Sequence, residues 1–186
     1  MKRPVVFAGI AVLAAAVITY PVYRHFTGRH HAAEQDTATL SSWTWNNPYT
    51  NKQVLIPPAW KKVVNDHLRD AVLALQHQSG NCLVYMTYDQ SVNHLSAPEY
   101  IDAIAPMNRK EYGINELRAV KGKDGSEYYQ GEGARYLGDK LVNVDVRIWN
   151  DGADGYWETV IMADMEYKSL EYDARDLAGK LWESTW

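Results

Sequence analysis

The sequence predicts an α+β fold in which helices pack on a twisted antiparallel sheet. From Trp43 onward, apolar and polar residues alternate in short runs that end at turn residues, a pattern typical of strands joined by hairpins. Two longer stretches, beginning near Ser96 and Ser169, place apolar residues at helical spacing instead. The order of strands, helix, strands and helix favours antiparallel pairing within one domain at 43–186.

The first two predicted strands are short. Trp43–Trp45 is followed by a turn at 46–48, and Gln53–Ile56 ends at Pro57. Proline has no backbone N–H to donate, so it stops a strand from continuing inside a sheet. These residues therefore open the predicted domain.

The next segment has two interpretations. Ala71–His77 and Cys82–Tyr88 flank Gln78–Asn81, an arrangement typical of a hairpin. The alternative is a helix over 63–75, where apolar residues follow one another at intervals of four, four and three. These residues are Val64, Leu68, Val72 and Leu75. The sequence alone does not choose between them.

A helix is clearly marked between Ser96 and Gly113. Ser96 is suited to cap the exposed amides, Pro98 stands in the first turn, and Glu99 occupies the capping-box position. Glycine at the end of the segment indicates a left-handed cap. The predicted apolar stripe consists of Tyr100, Ile101, Ile104 and Ala105.

An antiparallel meander and a final helix complete the predicted fold. Strands are expected at Ile114–Val120, Ser126–Leu137, Val142–Ile148 and Tyr156–Ala163, with glycine-containing turns between them. The strict alternation of Val142–Ile148 predicts a half-buried strand. A C-terminal helix from about Ser169 has one apolar face. That face consists of Leu170, Ala174, Leu177 and Leu181.

The N-terminal residues predict a membrane anchor. After a basic segment at 1–4, Val5–Tyr23 is a run of 19 uncharged residues, which at about 1.5 Å per residue just spans a bilayer core. A cleaved signal peptide is the alternative, because the three alanines at 14–16 resemble a cleavage site. We favour a retained transmembrane helix, since the apolar run continues past the alanines. Polar residues 24–42 follow as a tether.

The basic residues around this run slightly favour a cytoplasmic N-terminus. Lys2 and Arg3 precede the run, and Arg24 and Arg29 follow it, so the positive-inside rule gives only a small bias. The predicted localisation is the bacterial inner membrane, with one span and with the globular domain in the periplasm.

Charge limits the classes of partner. Residues 34–186 carry 15 basic and 23 acidic side chains, a balance of 15 − 23 = −8. Nucleic acids and anionic lipid surfaces require a basic face on the protein. We therefore expect no nucleic-acid partner, and the lipid bilayer is contacted through 5–23; a basic protein partner is compatible with the charge.

Cysteine and histidine patterns do not indicate a catalytic or metal site. Cys82 is the single cysteine and lies in an apolar run, which favours a buried thiol. His67, His77 and His94 are ten and seventeen residues apart, and this is not a zinc-binding pattern. A hydrolytic site remains the alternative if the fold brings two of these histidines beside an aspartate. The candidate aspartates are Asp66, Asp70 and Asp89.

The turn at 150–155 resembles a calcium-binding loop in its acidic residues and glycines. Ile161 stands where such a loop has its last carboxylate. An ordinary hairpin turn is therefore expected. We predict no metal ion, no cofactor and no catalytic residues.

Aromatic residues on the predicted meander are the candidate binding residues. If the outward faces of neighbouring strands align, they form an aromatic and acidic surface suited to a basic protein. The alternative is that the same side chains fill the core, because successive strand residues point to opposite faces. The residues are Trp149, Trp157, Tyr128, Tyr136 and Tyr156.

The opening of the domain resembles the PsbP/Mog-type (PsbP-like) α/β sandwich family. The segment Tyr49–Trp60, with an aromatic residue, a strand, Ile56 and Pro57, and a tryptophan three residues later, is similar to the entry of that fold. A hairpin, a capped helix, a long meander and a C-terminal helix follow in the same order. The resemblance covers about 43–186 and implies a protein-binding scaffold without a shared active site, as in type VI secretion effector-associated chaperones and some immunity proteins.

Together these observations predict a membrane-anchored, non-enzymatic envelope domain that binds another protein. The expected partner is a toxin or effector, which would make this chain an immunity protein, or a component of a secretion or envelope assembly. The alternative function is an envelope hydrolase or a small-ligand carrier that uses the cleft between helix and sheet.

Overall fold

The computed structural model describes residues 41–64, 70–90, 92, 94–122, 125–150, 152 and 155–185. The predicted span at 5–23 and its tether up to residue 40 lie outside these residues, and so does His67. Within the described ranges, none of the helices combines the length and the apolar character that crossing a bilayer requires.

The centre of the domain is an antiparallel sheet. Its strands are β3 Trp60–Lys62, β4 Ala71–His77, β5 Cys82–Asp89, β6 Arg118–Lys121, β7 Glu127–Leu137, β8 Lys140–Asn150 and β9 Tyr156–Asp164. Their spatial order is β3-β4-β5-β9-β8-β7-β6, and every neighbouring pair is antiparallel. The predicted α+β fold with a large antiparallel sheet is confirmed.

Two helices cover opposite faces of this sheet. Helix α1, Ala97–Tyr112, packs Tyr100 and Ile101 against one face, and helix α2, Lys168–Glu183, packs Leu177 and Leu181 against the other. Side chains along a strand alternate between the two faces of the sheet, so one strand contributes to both apolar layers. Val146 points to the α1 side and Trp149 to the α2 side. The domain is thus a three-layer α/β/α sandwich.

A small hairpin adds to the α2 side. Strands β1, Trp43–Asn46, and β2, Gln53–Ile56, form a separate two-stranded sheet. Its inward residues Trp45, Val54 and Ile56 join the same apolar cluster as α2. This hairpin positions the loop that carries the candidate site.

The predicted signals at the ends of α1 are confirmed. The Glu99 carboxylate accepts hydrogen bonds from the Ser96 amide at 2.8 Å and the Ser96 hydroxyl at 2.6 Å. At the other end, Gly113 adopts φ 69° and its amide donates to the Arg109 carbonyl at 3.2 Å. Two facts exclude a side chain at Gly113. Its φ lies in the left-handed region, and an added Cβ would lie 2.7 Å from the Ala134 carbonyl oxygen.

Some sequence expectations are wrong in detail. The helix proposed for 63–75 is contradicted at Ala71–Leu75, which belong to β4 and pair with β3 and β5. Strand β6 begins only at Arg118, because Ile114 turns inward and packs over Gly131. Pairing in the sheet overrides helical spacing in the first case, and core packing interrupts the strand in the second.

Candidate functional site

Aromatic side chains concentrate at one end of the sheet, which we call the aromatic end. Here β5 and β8 finish and β9 begins, so that Trp157 pairs with Tyr88 on one side and with Trp149 on the other. Tyr156 is the first residue of β9, directly before Trp157, and Tyr128 lies at the start of β7. The structure thus brings together four of the five predicted binding residues.

Three of these four residues, Trp149, Trp157 and Tyr156, belong to the core. The expectation that they form an outward surface is wrong for these three. Trp149 and Trp157 are 1% exposed and Tyr156 is 3% exposed. Helix α2 and the residues after it cover Trp149, whose indole N–H donates to the Thr185 hydroxyl at 2.9 Å. Among the alternatives that the sequence left open, core filling therefore applies to these three side chains.

The other two predicted residues differ from them and from each other. Tyr128 is half-buried and packs edge-on against Trp182, with the ring centroids 4.6 Å apart. Tyr136 is 69% exposed, but it pairs with Leu141 beside the β7–β8 turn, at the end of the sheet away from the aromatic end. Tyr136 therefore lies apart from the other four predicted residues.

The exposed ring of the aromatic end is Tyr49, a residue that the sequence analysis did not select. Its ring centroid lies 4.5 Å from that of Tyr88 and 5.4 Å from that of Trp157. Tyr88 in turn stacks on Trp157 at 4.3 Å. Tyr49 remains 50% exposed, so the buried aromatic cluster continues to the surface through this side chain.

Buried hydrogen bonds hold the Tyr49 loop in place. Asn47 is fully buried, and its side-chain oxygen accepts from the Tyr49 amide at 3.0 Å. Its Nδ2 donates to the Ser184 carbonyl at 3.2 Å, and the Thr50 hydroxyl donates to the same carbonyl at 2.6 Å. The loop is therefore anchored on the C-terminal end of α2, and Tyr49 is presented on a fixed backbone.

A cavity of about 560 Å³ opens beside this ring, and we call it the Tyr49 cleft. Its described lining combines aromatic rings, small apolar side chains and two carboxylates. These residues are Tyr49, Asp70, Ala71, Val72, Tyr88 and Asp89. Asp70 is exposed and Asp89 half-buried.

A second cavity, of about 600 Å³, lies at the same end of the sheet, and we call it the α1 cleft. Ala97 at the start of α1, Ile148 of β8 and Tyr129 of β7 are among its lining residues. Tyr156 forms part of its wall, stacks on Tyr100 at 4.1 Å and donates from its hydroxyl to the Leu95 carbonyl at 2.8 Å. Burial raises the pKa of the Tyr156 phenol.

The histidines do not come together in the described structure. His77 ends β4 at the turn before β5, whereas His94 follows the opposite end of β5. The His77 ring lies 2.8 Å from the Ser79 hydroxyl, and burial lowers the pKa of His77. In the described residues, no three histidine, cysteine or acidic side chains are grouped as metal ligands would be.

A separate group of polar side chains is buried between α1 and the sheet. Glu158 is 9% exposed on β9, and burial raises the pKa of its carboxyl to about 7. The hydroxyls of Tyr85 and Tyr112 lie 2.6 Å from each other, and their pKa values are raised chiefly by burial and further by Glu158. This group shares no lining residue with either cleft.

Comparison with known proteins identifies the fold. No protein-family model and no curated protein matches the sequence. The solution structure of the cyanobacterial PsbP (CyanoP) from Synechocystis sp. PCC 6803 superposes with a TM-score of 0.54 and 11% identity, covering 81% of this chain and 96% of that chain. The chain has a PsbP-type fold.

Two further solved structures are similar at lower scores. The Ran-binding protein Mog1p of Saccharomyces cerevisiae has a TM-score of 0.45 and 11% identity, covering 78% of this chain and 91% of its own. A Pseudomonas aeruginosa protein of unknown function, described as a putative regulator, has a TM-score of 0.44 and 10% identity, covering 75% of this chain and 94% of its own. At this level of identity the likeness concerns the fold alone.

One signal in the sequence pointed to Tyr49. It stands in a turn among Asn47, Pro48, Thr50 and Asn51, and an aromatic residue in a polar turn has no strand face that would bury it. No comparable signal joined it to Tyr88 or Asp70, because these residues meet only through the packing of the hairpin on the sheet.

Proposed function

We propose that this chain is a non-enzymatic protein-binding domain held at the bacterial inner membrane by residues 5–23, with residues 43–186 in the periplasm. The uncharged run of 19 residues between basic flanks supports the anchor. Its partner is a second protein, which contacts the aromatic end of the sheet. The anchor confines this encounter to the membrane surface.

The observation that carries the proposal is the presentation of Tyr49. Interface hot spots are enriched in tyrosine and tryptophan side chains that are already rigid before binding. Tyr49 is half exposed, rests on Tyr88 and Trp157, and is tied through Asn47 to α2. This chain therefore loses little conformational entropy when a partner covers the Tyr49 ring.

The acidic balance of the domain favours a basic partner. Residues 34–186 carry a formal charge of −8, which accelerates association with a positively charged surface and disfavours nucleic acid. We further propose either an immunity role against a secreted toxin or effector, including one of type VI secretion, or an accessory role in secretion or envelope assembly. The identity of the captured protein separates these roles.

The experiment is capture of the full-length chain from membranes in mild detergent, followed by mass spectrometry. We expect one stoichiometric partner with the natural chain and with Tyr136→Ala, and at least about a tenfold loss with Tyr49→Ala. Equal capture by Tyr49→Ala, or no partner from any variant, would overturn the proposal. The mass of the membrane-extracted chain tests the anchor separately, since trimming near Ala16 contradicts it.

The α1 cleft favours a second candidate function, that of a small-ligand carrier. Its volume of about 600 Å³ lies in the range of ligand sites, about 300 to 1,000 Å³. Its wall combines Tyr129, Tyr156 and Ile148 with the polar Asn150. Native mass spectrometry of chain extracted without denaturant should reveal a co-purifying small molecule, and recovery of ligand-free chain alone removes this candidate.

A further inference from the structure

We propose that the Tyr49 cleft receives an arginine side chain of the protein partner, whose guanidinium lies against the Tyr49 ring and faces Asp70. This inference rests on the proposed function, because it assigns chemistry to the contact made at the aromatic end. It concerns one side chain of the partner.

The charged side chains in the described lining of the cleft are both acidic, which favours a cation as the occupant. Asp70 and Asp89 are both among its described lining residues, and neither lysine nor arginine is among them. Because Asp70 is exposed, its attraction for a single charge is weak in water and strengthens when a partner excludes water from the cleft. The acidic balance of the surrounding domain acts in the same direction.

The rings supply the second requirement. A cation is attracted to the face of an aromatic ring, and Tyr49, which lines the cleft, keeps half of its surface open. One face of Tyr88 is occupied by its stacking on Trp157 at 4.3 Å. Tyr49 is therefore the ring that remains available to the incoming side chain.

Arginine fits this combination better than lysine. Its guanidinium is planar, so it can lie flat on a phenol ring while its N–H groups point sideways to carboxylates. A lysine ammonium is a compact and strongly hydrated charge that gains less from a ring face. The volume of about 560 Å³ also exceeds what a guanidinium alone fills, which leaves space for the apolar stem against Ala71 and Val72.

The cleft is formed before any partner arrives. Asn47 fixes the Tyr49 amide, and Thr50 fixes the same loop to Ser184. Tyr88 belongs to β5, and Ala71 and Val72 belong to β4, so three sides are built on paired strands or on an anchored loop. Preorganisation of this kind is what allows one side chain to contribute measurably to affinity.

The test uses the full-length chain in detergent micelles and two small probes, N-acetylarginine methylamide and its uncharged isostere N-acetylcitrulline methylamide. The readout is the NMR signal of the Trp157 indole, which lies next to both Tyr49 and Tyr88. We expect saturable shifts with the arginine probe, at least about fivefold weaker binding of the citrulline probe, and weaker binding at high salt.

Matched variants separate the contributions. Tyr49→Leu should weaken binding of the arginine probe about fivefold and Asp70→Asn about threefold. Tyr49→Phe keeps the ring face and should bind like the natural chain. Tyr136→Ala removes another exposed tyrosine, far from the cleft, and should also bind like the natural chain. Unchanged binding in Tyr49→Leu, or equal binding of the citrulline probe, would overturn the inference.

Failure of this inference is distinguishable from failure of the proposed function. If the arginine probe does not bind but partner capture still depends on Tyr49, the partner contacts the ring without a cation, and only the inference falls. If the arginine probe does not bind and partner capture does not depend on Tyr49, both the inference and the proposed function are wrong. If capture depends on both Tyr49 and Asp70 and the probe discriminates charge, both stand.

Discussion

The side chain of Asn47 donates a hydrogen bond to the backbone carbonyl of Ser184 at 3.2 Å, across 137 residues of sequence. The first hairpin of the domain and the end of its last helix are thereby joined at a buried polar contact. Because Asn47 also accepts the amide of Tyr49, the position of the candidate binding residue depends on this long-range pair. The integrity of the site and the stability of the domain are therefore linked.

Replacement of Asn47 should destabilise the domain. Asn47→Ala removes an acceptor from the Tyr49 amide and a donor from Ser184, and we expect a loss of about 2 kcal/mol in the free energy of unfolding, because buried polar groups are left without partners. Urea denaturation measures it. Asn46→Ala, on the exposed side of β1, is the control and should stay within about 0.5 kcal/mol. Equal stabilities of the two variants would contradict the anchoring role.

One tryptophan variant and one tyrosine variant should differ in stability, because the first residue is buried and the second is exposed. Trp149→Ala removes a fully buried indole together with its hydrogen bond to Thr185, and we expect a loss of about 3 to 5 kcal/mol. Tyr136→Ala removes a ring that is 69% exposed and should change stability by less than about 0.5 kcal/mol. Thermal unfolding followed by circular dichroism measures both. A small effect of Trp149→Ala would place that residue outside the core.

The end of α1 should be sensitive to a single methyl group. Gly113→Ala introduces a side chain at φ 69° and puts its Cβ 2.7 Å from the Ala134 carbonyl oxygen. Gly80→Ala is the matched control, because Gly80 has φ 74° but no atom within 4 Å of the added Cβ. We expect about 1 kcal/mol of backbone strain in both variants and at least about 1 kcal/mol more in Gly113→Ala. Chemical denaturation compares them, and equal losses would remove the clash.

Stability should fall as pH rises through the range in which Glu158 ionises. Burial raises the pKa of Glu158 from 4.5 to about 7 in the folded state, so the folded protein holds this proton more tightly than the unfolded chain. Below pH 4.5 both states are protonated, and between about pH 4.5 and 7 the unfolded state gains stability through ionisation, to a limit of about 3 kcal/mol.

Glu158→Gln should remove this particular fall in stability with pH. Unfolding curves measured from pH 4.5 to 8 should show a flatter profile for Glu158→Gln than for the natural chain. Glu166→Gln changes an exposed carboxylate on the following turn and should leave the profile unchanged. Parallel profiles of the natural chain and Glu158→Gln would contradict the prediction, because they would show that ionisation of Glu158 does not destabilise the folded state.

The thiol of Cys82 should be unreactive in the native state. Cys82 is fully buried on β5, and burial raises its pKa to about 12, so almost no thiolate is present at pH 8. We expect no labelling by Ellman's reagent under native conditions and one equivalent in guanidinium chloride. Rapid stoichiometric labelling of the folded chain would contradict the burial.

Local sequence signals predicted the elements well where a residue acts on its own neighbours. Ser96, Glu99 and Gly113 marked α1 because capping involves residues within one turn. The turn at 78–81 marked the hairpin of β4 and β5 for the same reason. The sheet order was not predictable in this way, since β9 inserts between β5 and β8 although β5 and β9 are separated by 66 residues of chain.

The sequence by itself determined the α+β class, most element boundaries and the acidic balance of the domain, because periodicity, turns and charge are properties of adjacent residues. Only the tertiary structure decided which aromatic rings are covered. A two-residue period states that a strand has two faces, but the helix that docks on each face is chosen elsewhere in the chain. For that reason Trp149 and Trp157 are buried under the α2 layer, while Tyr49 carries the exposed end of the same cluster.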